Sequence, residues 1–241
     1  MATIETERST GAFPMKNDDK NISQGLKKGR AIQKAYERIK QLISLNQLVP
    51  GQKLIYADIA DKVNMGVTPV IQALNRLETS GLVRYVANKG YFVGEITETE
   101  VRQLYQAREA LEIFVIPAVI QNIDSQKLDK IANDFNKKDY LEQSRRALIL
   151  DDIRFHLAIV RHAHNNVIYN LLKSIFEQVY LKYRPEYLDE TRIKEVLREH
   201  LQLLTYLRNA NEDEAIALVR DHIRSSIDYV VKTIKREKLG F

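Results

Sequence analysis

The amino-acid sequence predicts a mainly α chain, with a small N-terminal head of three helices and a hairpin followed by a C-terminal all-helical bundle of six or seven helices. Three observations support this prediction. Glycine and proline are scarce, at 9 and 5 of 241 residues, which is typical of helical proteins. Apolar residues recur at helical spacing through most of the chain. The excess of basic charge is confined to residues 26–94, which carry 11 Lys/Arg against 4 Asp/Glu.

The composition excludes several classes of protein. The chain contains no cysteine, which removes disulfides, thiolate catalysis and cysteine-ligated zinc. No apolar run approaches the ~20 residues of a transmembrane helix, and no secretory signal is recognisable. We therefore expect a cytoplasmic protein that does not associate with a membrane.

Three segments differ in pattern and charge. Residues 1–25 lack hydrophobic periodicity and are expected to form a flexible N-terminal arm. Residues 26–94 hold the basic charge and are expected to form the first domain, because such a patch favours a polyanion such as nucleic acid. A solvated lysine-rich face is the alternative at this point. Residues 95–241 are expected to form one helical domain.

The first domain begins with three predicted helices. The first spans residues 29–45 and the second, a short one, residues 56–63. For the third helix, Thr68 is the expected N-cap and Pro69 the first helical residue, since proline is favoured where its missing N–H costs nothing. This helix is expected to end near Gly81, where glycine suits the residue that follows a helix.

A predicted hairpin follows, with strands at residues 82–86 and 91–93 around a turn containing Asn88 and Gly90. Three helices and a hairpin in a basic segment predict an N-terminal winged helix-turn-helix, whose third helix enters the major groove of double-stranded DNA. A winged helix that binds protein is the alternative. The residues expected to contact DNA, on the third helix and at the wing tip, are Thr68, Gln72, Asn75, Arg76, Asn88 and Lys89.

Several short motifs in this segment resemble the GntR superfamily of bacterial regulators. They are Leu48-Val49-Pro50-Gly51-Gln52-Lys53-Leu54, Thr68-Pro69-Val70, Ala73-Leu74, Leu77-Glu78, Gly81-Leu82-Val83 and Asn88-Lys89-Gly90-Tyr91-Phe92-Val93. The chain departs from the family pattern where members usually carry two arginines that contact DNA. Val67 and Ile71 stand at those positions, so the operator preference that the resemblance implies does not carry over.

The second domain is expected to start a helix at Thr97 or Thr99. Its first helix carries Arg108 and Glu112 on an otherwise apolar face, where an i,i+4 ion pair is the simplest explanation. The later helices are expected at residues 124–135, 138–162, 166–182, 191–208 and 213–236.

Four side chains on these helices predict a metal site. Asp152 and His156 stand four apart on one apolar helix face, so both can bind one cation. His200 and His222 interrupt two further apolar stripes, at similar distances from the turn of a predicted helical hairpin. One carboxylate and three imidazoles suit zinc, or nickel or another first-row divalent ion. The alternative for any single histidine is a hydrogen-bonded core residue. His162 and His164 are expected at the surface or as helix caps.

The second half is similar to the FCD-type ligand-binding domain of the FadR-like branch of the same superfamily. The similarity rests on Tyr105-Gln106-Ala107-Arg108-Glu109-Ala110-Leu111-Glu112, Asp152-x-x-Phe155-His156, Glu199-His200 and His222. It implies that the four predicted ligands bind a metal, which in turn holds a small organic acid by its carboxylate. It also implies that Arg108 helps to bind this effector.

The sequence therefore predicts a homodimeric bacterial transcription regulator, a repressor, that binds a palindromic operator and senses a small carboxylate through its metal. Two alternatives stay open. A metalloenzyme joined to a DNA-binding module lacks an evident general base, because Glu199 is expected to point about 100° away from His200. A metal that only ties the helices together is the other alternative.

Overall fold

The structure is a computed structural model that describes residues 18–136, 140, 143–183 and 189–239. The N-terminal head is built from α1 (Asp18–Ser44), β1 (Lys53–Leu54), α2 (Tyr56–Val63), α3 (Val67–Thr79), β2 (Val83–Val86) and β3 (Gly90–Val93). The predicted winged helix-turn-helix is confirmed. Its buried core is formed by one apolar face from each helix together with the inner residues of the sheet.

The sheet of the head has three strands in the order β1-β3-β2, all antiparallel to their neighbours. The wing is the β2–β3 hairpin, in which Val83 pairs with Val93 and Val86 with Gly90. Strand β1 was not predicted from the sequence. It is two residues long, and two residues are too few to show the alternation by which a strand is recognised.

Two boundaries of the head differ from the prediction. Helix α1 begins at Asp18, so residues 18–25, assigned to a flexible arm, are helical, while residues 1–17 lie outside the described residues. Helix α3 begins at Val67 with Gly66 as its N-cap, so Thr68 is not the cap and Pro69 is the third helical residue. Proline is tolerated there because the first N–H groups of a helix have no acceptor within the helix.

The C-terminal body contains six described α-helices, within the predicted six or seven. They are α4 (Glu98–Asn122), α5 (Ser125–Asn136), α6 (Arg145–Val160), α7 (Asn166–Lys182), α8 (Glu190–Arg208) and α9 (Glu212–Leu239). Thr97 caps α4 by accepting a hydrogen bond from the Glu100 backbone N–H, as expected for a Thr-x-x-Glu start. The apolar faces of these helices pack into one continuous core.

Helix α6 is shorter than predicted at both ends. It was expected over residues 138–162, but Ser144 caps its start by accepting from the Ala147 N–H, and residues 137–139 and 141–142 lie outside the described residues. After Val160 the chain forms a single 3-10 turn, Arg161–Ala163, which ends at His164 with a positive φ of 53°.

The end of α7 joins the body to the head. Leu181 is buried in the core of the head, and Lys182 Nζ donates to Gly81 O at 3.0 Å and to the Glu100 carboxylate at the start of α4. Gly94, between wing and body, lies so close to Lys182 that a Cβ there would be 2.8 Å from Lys182 Cδ. The two domains therefore share a packed boundary. No helix in the described part of the chain combines the length and apolar character needed to cross a bilayer.

Candidate metal centre

The four predicted metal ligands come together in the interior of the body. Asp152 and His156 project from α6, His200 from α8 and His222 from α9, and one ligand atom from each lies within 4.8 Å of the other three. The three histidines are at most 4% exposed. The α8–α9 hairpin places His200 and His222 at the same height, with ring centroids 5.1 Å apart.

The donor atoms are spaced as a small divalent ion requires. His200 Nε2 lies 3.3 Å and His156 Nε2 3.6 Å from Asp152 Oδ1. Two tetrahedral donors that each lie ~2.1 Å from zinc are ~3.4 Å apart. Among the described residues, His156 Nε2 and His222 Nε2 have no hydrogen-bond partner although both atoms are buried. Since buried polar atoms are normally satisfied, the arrangement fits an ion between them.

Two carboxylates behind the histidines set which ring nitrogen faces the centre. His156 Nδ1 lies 2.7 Å from Glu112 Oε2, and His222 Nδ1 lies 2.7 Å from Glu199 Oε2. Each Nδ1–H can donate to its carboxylate, which leaves the Nε2 lone pair directed at the centre. This carboxylate–histidine arrangement is the one that orients metal ligands and raises their basicity.

The buried charges hold the carboxylates in their ionised form. Burial alone would raise the pKa of Glu112, but the neighbouring Arg108 and His156 outweigh it and lower the pKa to about 2. Burial would likewise raise the pKa of Asp152, but His156, His200 and Arg108 hold it well below its ordinary value. Asp152 is thus an anionic ligand at neutral pH.

The histidines are affected in opposite directions. Burial lowers the pKa of His200 to about 3 and also lowers that of His222. For His156, the attraction of Glu112 and Asp152 exceeds the effect of burial and raises the pKa. Burial therefore favours the neutral form of His200 and His222, which can coordinate an ion, whereas Glu112 and Asp152 favour the protonated form of His156, with which an ion would compete.

A cavity of about 110 Å³ opens beside the centre. Asp152 and His200 form one part of its wall, and Arg192 and Ser226 form another. Arg192, which the sequence did not single out, is 7% exposed and donates to Ser225 Oγ and Ser226 Oγ at 3.2 and 2.9 Å. A small molecule in this cavity could reach both the ion and these polar groups.

Arg108, the predicted effector-binding residue, lies deeper in the core. Its guanidinium donates to Glu112, as the i,i+4 explanation expected, and lies 4.7 Å from the ring centroid of Phe176. It is not among the residues that line the cavity. Within the described structure, its Nη2 is buried without a hydrogen-bond partner.

The other two histidines lie away from the centre. His162 is partly exposed on the 3-10 turn that follows α6, and His164 is an exposed residue that ends this turn. Both positions agree with the predicted surface and capping roles.

The six predicted DNA-binding residues lie on α3 and the wing. Thr68, Asn75, Arg76, Asn88 and Lys89 are exposed, whereas Gln72 is half-buried. Two of them also make contacts within the head. Asn75 Oδ1 accepts a hydrogen bond from the Tyr91 hydroxyl, and Arg76 lies 5.5 Å from the ring centroid of Tyr36 on α1. Val67, in place of an arginine, is 43% exposed at the start of α3.

Sequence reasoning missed the roles of Glu112, Glu199 and Arg192. It assigned Glu112 only to Arg108, but the second carboxylate oxygen binds His156. It set Glu199 aside because it points about 100° away from His200. That direction is the one that faces α9, so Glu199 meets His222. The position of Glu199 directly before His200 in the sequence was the available indication.

A winged helix-turn-helix joined to a helical body with an internal cavity defines a DNA-binding regulator with a ligand-binding domain. Residues 31–93 match the model of the bacterial regulatory proteins of the gntR family, and residues 103–225 match the FCD domain. The chain belongs to the GntR family of transcriptional regulators and carries an FCD effector-binding domain.

Relatives with curated names agree with this assignment. The Nta operon transcriptional regulator of Aminobacter aminovorans is 26% identical over 187 residues, covering 77% of this chain and 88% of its own length. The HTH-type transcriptional repressor GlaR of Escherichia coli is 25% identical over 206 residues, covering 81% and 93%. Among solved structures, E. coli McbR/YncC has the same fold, with a TM-score of 0.69 and 19% identity over 85% of this chain and 98% of that one.

Proposed function

We propose that this regulator binds a divalent ion, with zinc favoured, at Asp152, His156, His200 and His222, and that the ion binds the carboxylate of a small organic acid. The observation that carries the proposal is the convergence of these four donors beside a cavity. The ion supplies a positive charge that attracts a carboxylate. The protein orients the ligands through Glu112 and Glu199 and surrounds the acid with apolar side chains.

Helix α7 is suited to carry the effect of the acid to the DNA-binding head. On one face Phe176 packs beside His156, with ring centroids 5.9 Å apart, and Val179 lines the cavity. At the C-terminal end of the same helix, Leu181 and Lys182 contact the head. A shift of α7 on acid binding would therefore change the position of the winged helix. By linkage, DNA would alter acid affinity by the same factor.

We further propose that the regulator is a homodimer, which the described surface of the body supports. Phe114 on α4 and Val167 and Leu171 on α7 are 70%, 70% and 50% exposed. Large exposed apolar side chains on two helices that pack against each other are typical of a protein interface.

A two-fold dimer would bind a palindromic operator, with Thr68, Gln72, Asn75, Arg76, Asn88 and Lys89 as the proposed DNA contacts. We propose that the protein represses transcription.

An enzymatic role gains no support from the geometry. Glu199, which is the carboxylate nearest His222, is engaged with His222 Nδ1 and so orients a ligand. A general base would instead have to face the position where a metal-bound water would lie. Arg108 would act on the acid indirectly, because its guanidinium holds Glu112, which in turn contacts the proposed ligand His156.

Elemental analysis and calorimetric titration test the proposal together. We expect wild-type protein to hold one ion per chain, and His200→Ala and His222→Ala to lose it and to unfold at lower temperature. His164→Ala is the matched control, since His164 is exposed and lies away from the centre. Equal metal content in all four proteins would overturn the site. If the protein retains its metal but binds no acid, the ion has only a structural role.

A further inference from the structure

The buried and partly buried charges around the metal centre form two ion pairs and one remaining carboxylate. Glu195, which also contacts Arg192 at 3.3 Å, is 45% exposed and is therefore treated as solvated. Arg108 pairs with Glu112, and their side chains are 3% and 4% exposed. Arg192 Nη1 lies 3.6 Å from Glu199 Oε1, with 8% and 20% exposure. Asp152, at 26%, is the carboxylate left over. With the three histidines neutral, as they would be when coordinating an ion, these groups sum to one negative charge.

A divalent ion reverses the sign of this sum. The three histidines would coordinate as neutral imidazoles, and for His156 and His222 the carboxylates Glu112 and Glu199 can accept from Nδ1–H. The centre with its ion then carries one positive charge in excess. A buried charge without a partner is costly, so a ligand with one negative charge leaves the centre neutral, whereas a ligand with two makes it anionic.

Among the described residues that line the cavity, no cationic side chain is without protein partners. Of the described residues that line it, Asp152 and Arg192 carry charge at neutral pH, and Arg192 already donates to two serines and to Glu195 at 3.3 Å. The other lining side chains are mainly aliphatic and tyrosine. The aliphatic ones are Leu148, Ile149, Val179, Ile193, Val196, Leu197 and Val230.

We propose that the effector is a monocarboxylic acid with an apolar body, and that Glu199 sets this preference through its charge. The inference rests on the proposed carboxylate sensing and specifies its ligand. Dicarboxylates and acids that bear a phosphate bring a second negative charge into a centre that one charge has neutralised. Acids with many hydroxyls bring polar groups to an apolar wall, where they lose hydrogen bonds to water.

Two acids of equal chain length make the charge the main variable. Zinc-loaded full-length protein is titrated in a calorimeter with butanoate and with butanedioate at equal ionic strength. We expect butanoate to bind at least about tenfold more tightly, the factor that corresponds to ~1.4 kcal/mol. Tighter binding of butanedioate would overturn the inference and leave the proposed sensing intact. Binding of neither acid would overturn both.

A variant that changes the charge but little of the shape distinguishes a preference set by charge from one set by the shape of the cavity. Glu199→Gln removes one buried negative charge, while the amide oxygen can still accept from His222 Nδ1. Both titrations are run at saturating zinc, with full loading verified by elemental analysis, because Glu199 also orients His222. We expect the preference for butanoate over butanedioate to fall severalfold in this variant. Glu195→Gln is the control, because Glu195 also contacts Arg192 but is 45% exposed, and it should leave the ratio unchanged. An unchanged ratio in Glu199→Gln would refute the role of the charge.

Discussion

Lys182 offers the sharpest test of how the two domains are connected. Its Nζ is buried between the end of the head and the start of α4, where it donates to Gly81 O and to the Glu100 carboxylate. Lys182→Met keeps the length of the aliphatic stem and its packing against Gly94, but it removes both hydrogen bonds. The change therefore probes the charged contact and leaves the shape of the boundary nearly intact.

The expected loss of stability depends on how exposed the groups are that accept hydrogen bonds from Lys182. A hydrogen bond that involves a charged group contributes ~1.5–3 kcal/mol, but the Glu100 side chain is 31% exposed and is rehydrated when its partner is lost. We therefore expect Lys182→Met to lower the free energy of unfolding by ~2 kcal/mol. We also expect the variant to keep its acid affinity while the acid changes operator affinity less than in wild type, since we propose that the coupling travels through α7.

Urea unfolding followed by circular dichroism and operator binding with and without acid measure these two effects. Lys235→Met is the matched control, because Lys235 is 58% exposed and makes a 3.4 Å ion pair with Glu98 at the same end of α4. Lys235→Met should change the free energy of unfolding by no more than ~0.5 kcal/mol. Equal stability of the two variants, together with full coupling in Lys182→Met, would refute the reasoning about this boundary.

Four further predictions concern the centre, the DNA-binding face and the dimer. Glu112→Gln should lower zinc affinity ~10–100-fold in a competition with a chromophoric chelator; unchanged affinity would contradict the orienting role. The same variant tests a pH effect: the pKa of Glu112 is depressed to about 2 from 4.5, so its carboxylate stabilises the fold above about pH 4.5 and this stability is lost as the pH falls toward 2. Acid unfolding of Glu112→Gln should therefore depend less on pH in that window. Arg76→Ala and Lys89→Ala should each weaken operator binding and reduce its salt dependence in fluorescence anisotropy, and unchanged affinity and slope in both would reject the docking model. Phe114→Arg should shift the chain from dimer to monomer in analytical ultracentrifugation, whereas an intact dimer would remove α4 from the interface.

The outline of the fold was predictable because its determinants are local. The helical periodicity of α7 and α8, the Thr cap of α4 and the turn of the wing depend on residues near each other in the chain. Helices α7 and α8 lie within one residue of their predicted bounds, Thr97 rather than Thr99 is the cap, and the turn precedes Gly90, the first residue of β3. The ends of α1 and α6 were less predictable, because polar residues near a helix end are compatible with several positions of the boundary.

The convergence of the four donor side chains was predictable from the sequence, whereas the residues that support them were not. Asp152 and His156 share a helix face by spacing alone, and the hairpin rule places His200 opposite His222. The contacts of Glu112 and Arg192 join helices that are far apart in the sequence, and no periodicity reports the rotation of one helix against another. Such pairings follow from tertiary packing, which only coordinates supply.

The central claim is that nitrogen and oxygen donors on α6, α8 and α9 hold one divalent ion inside the body. X-ray absorption spectroscopy of protein loaded with one equivalent of zinc tests it most directly. We expect the spectrum to show nitrogen and oxygen atoms ~2.0–2.2 Å from the zinc, together with the outer-shell scattering of three imidazoles. Zinc that fails to bind, or a shell without imidazole scattering, would contradict it.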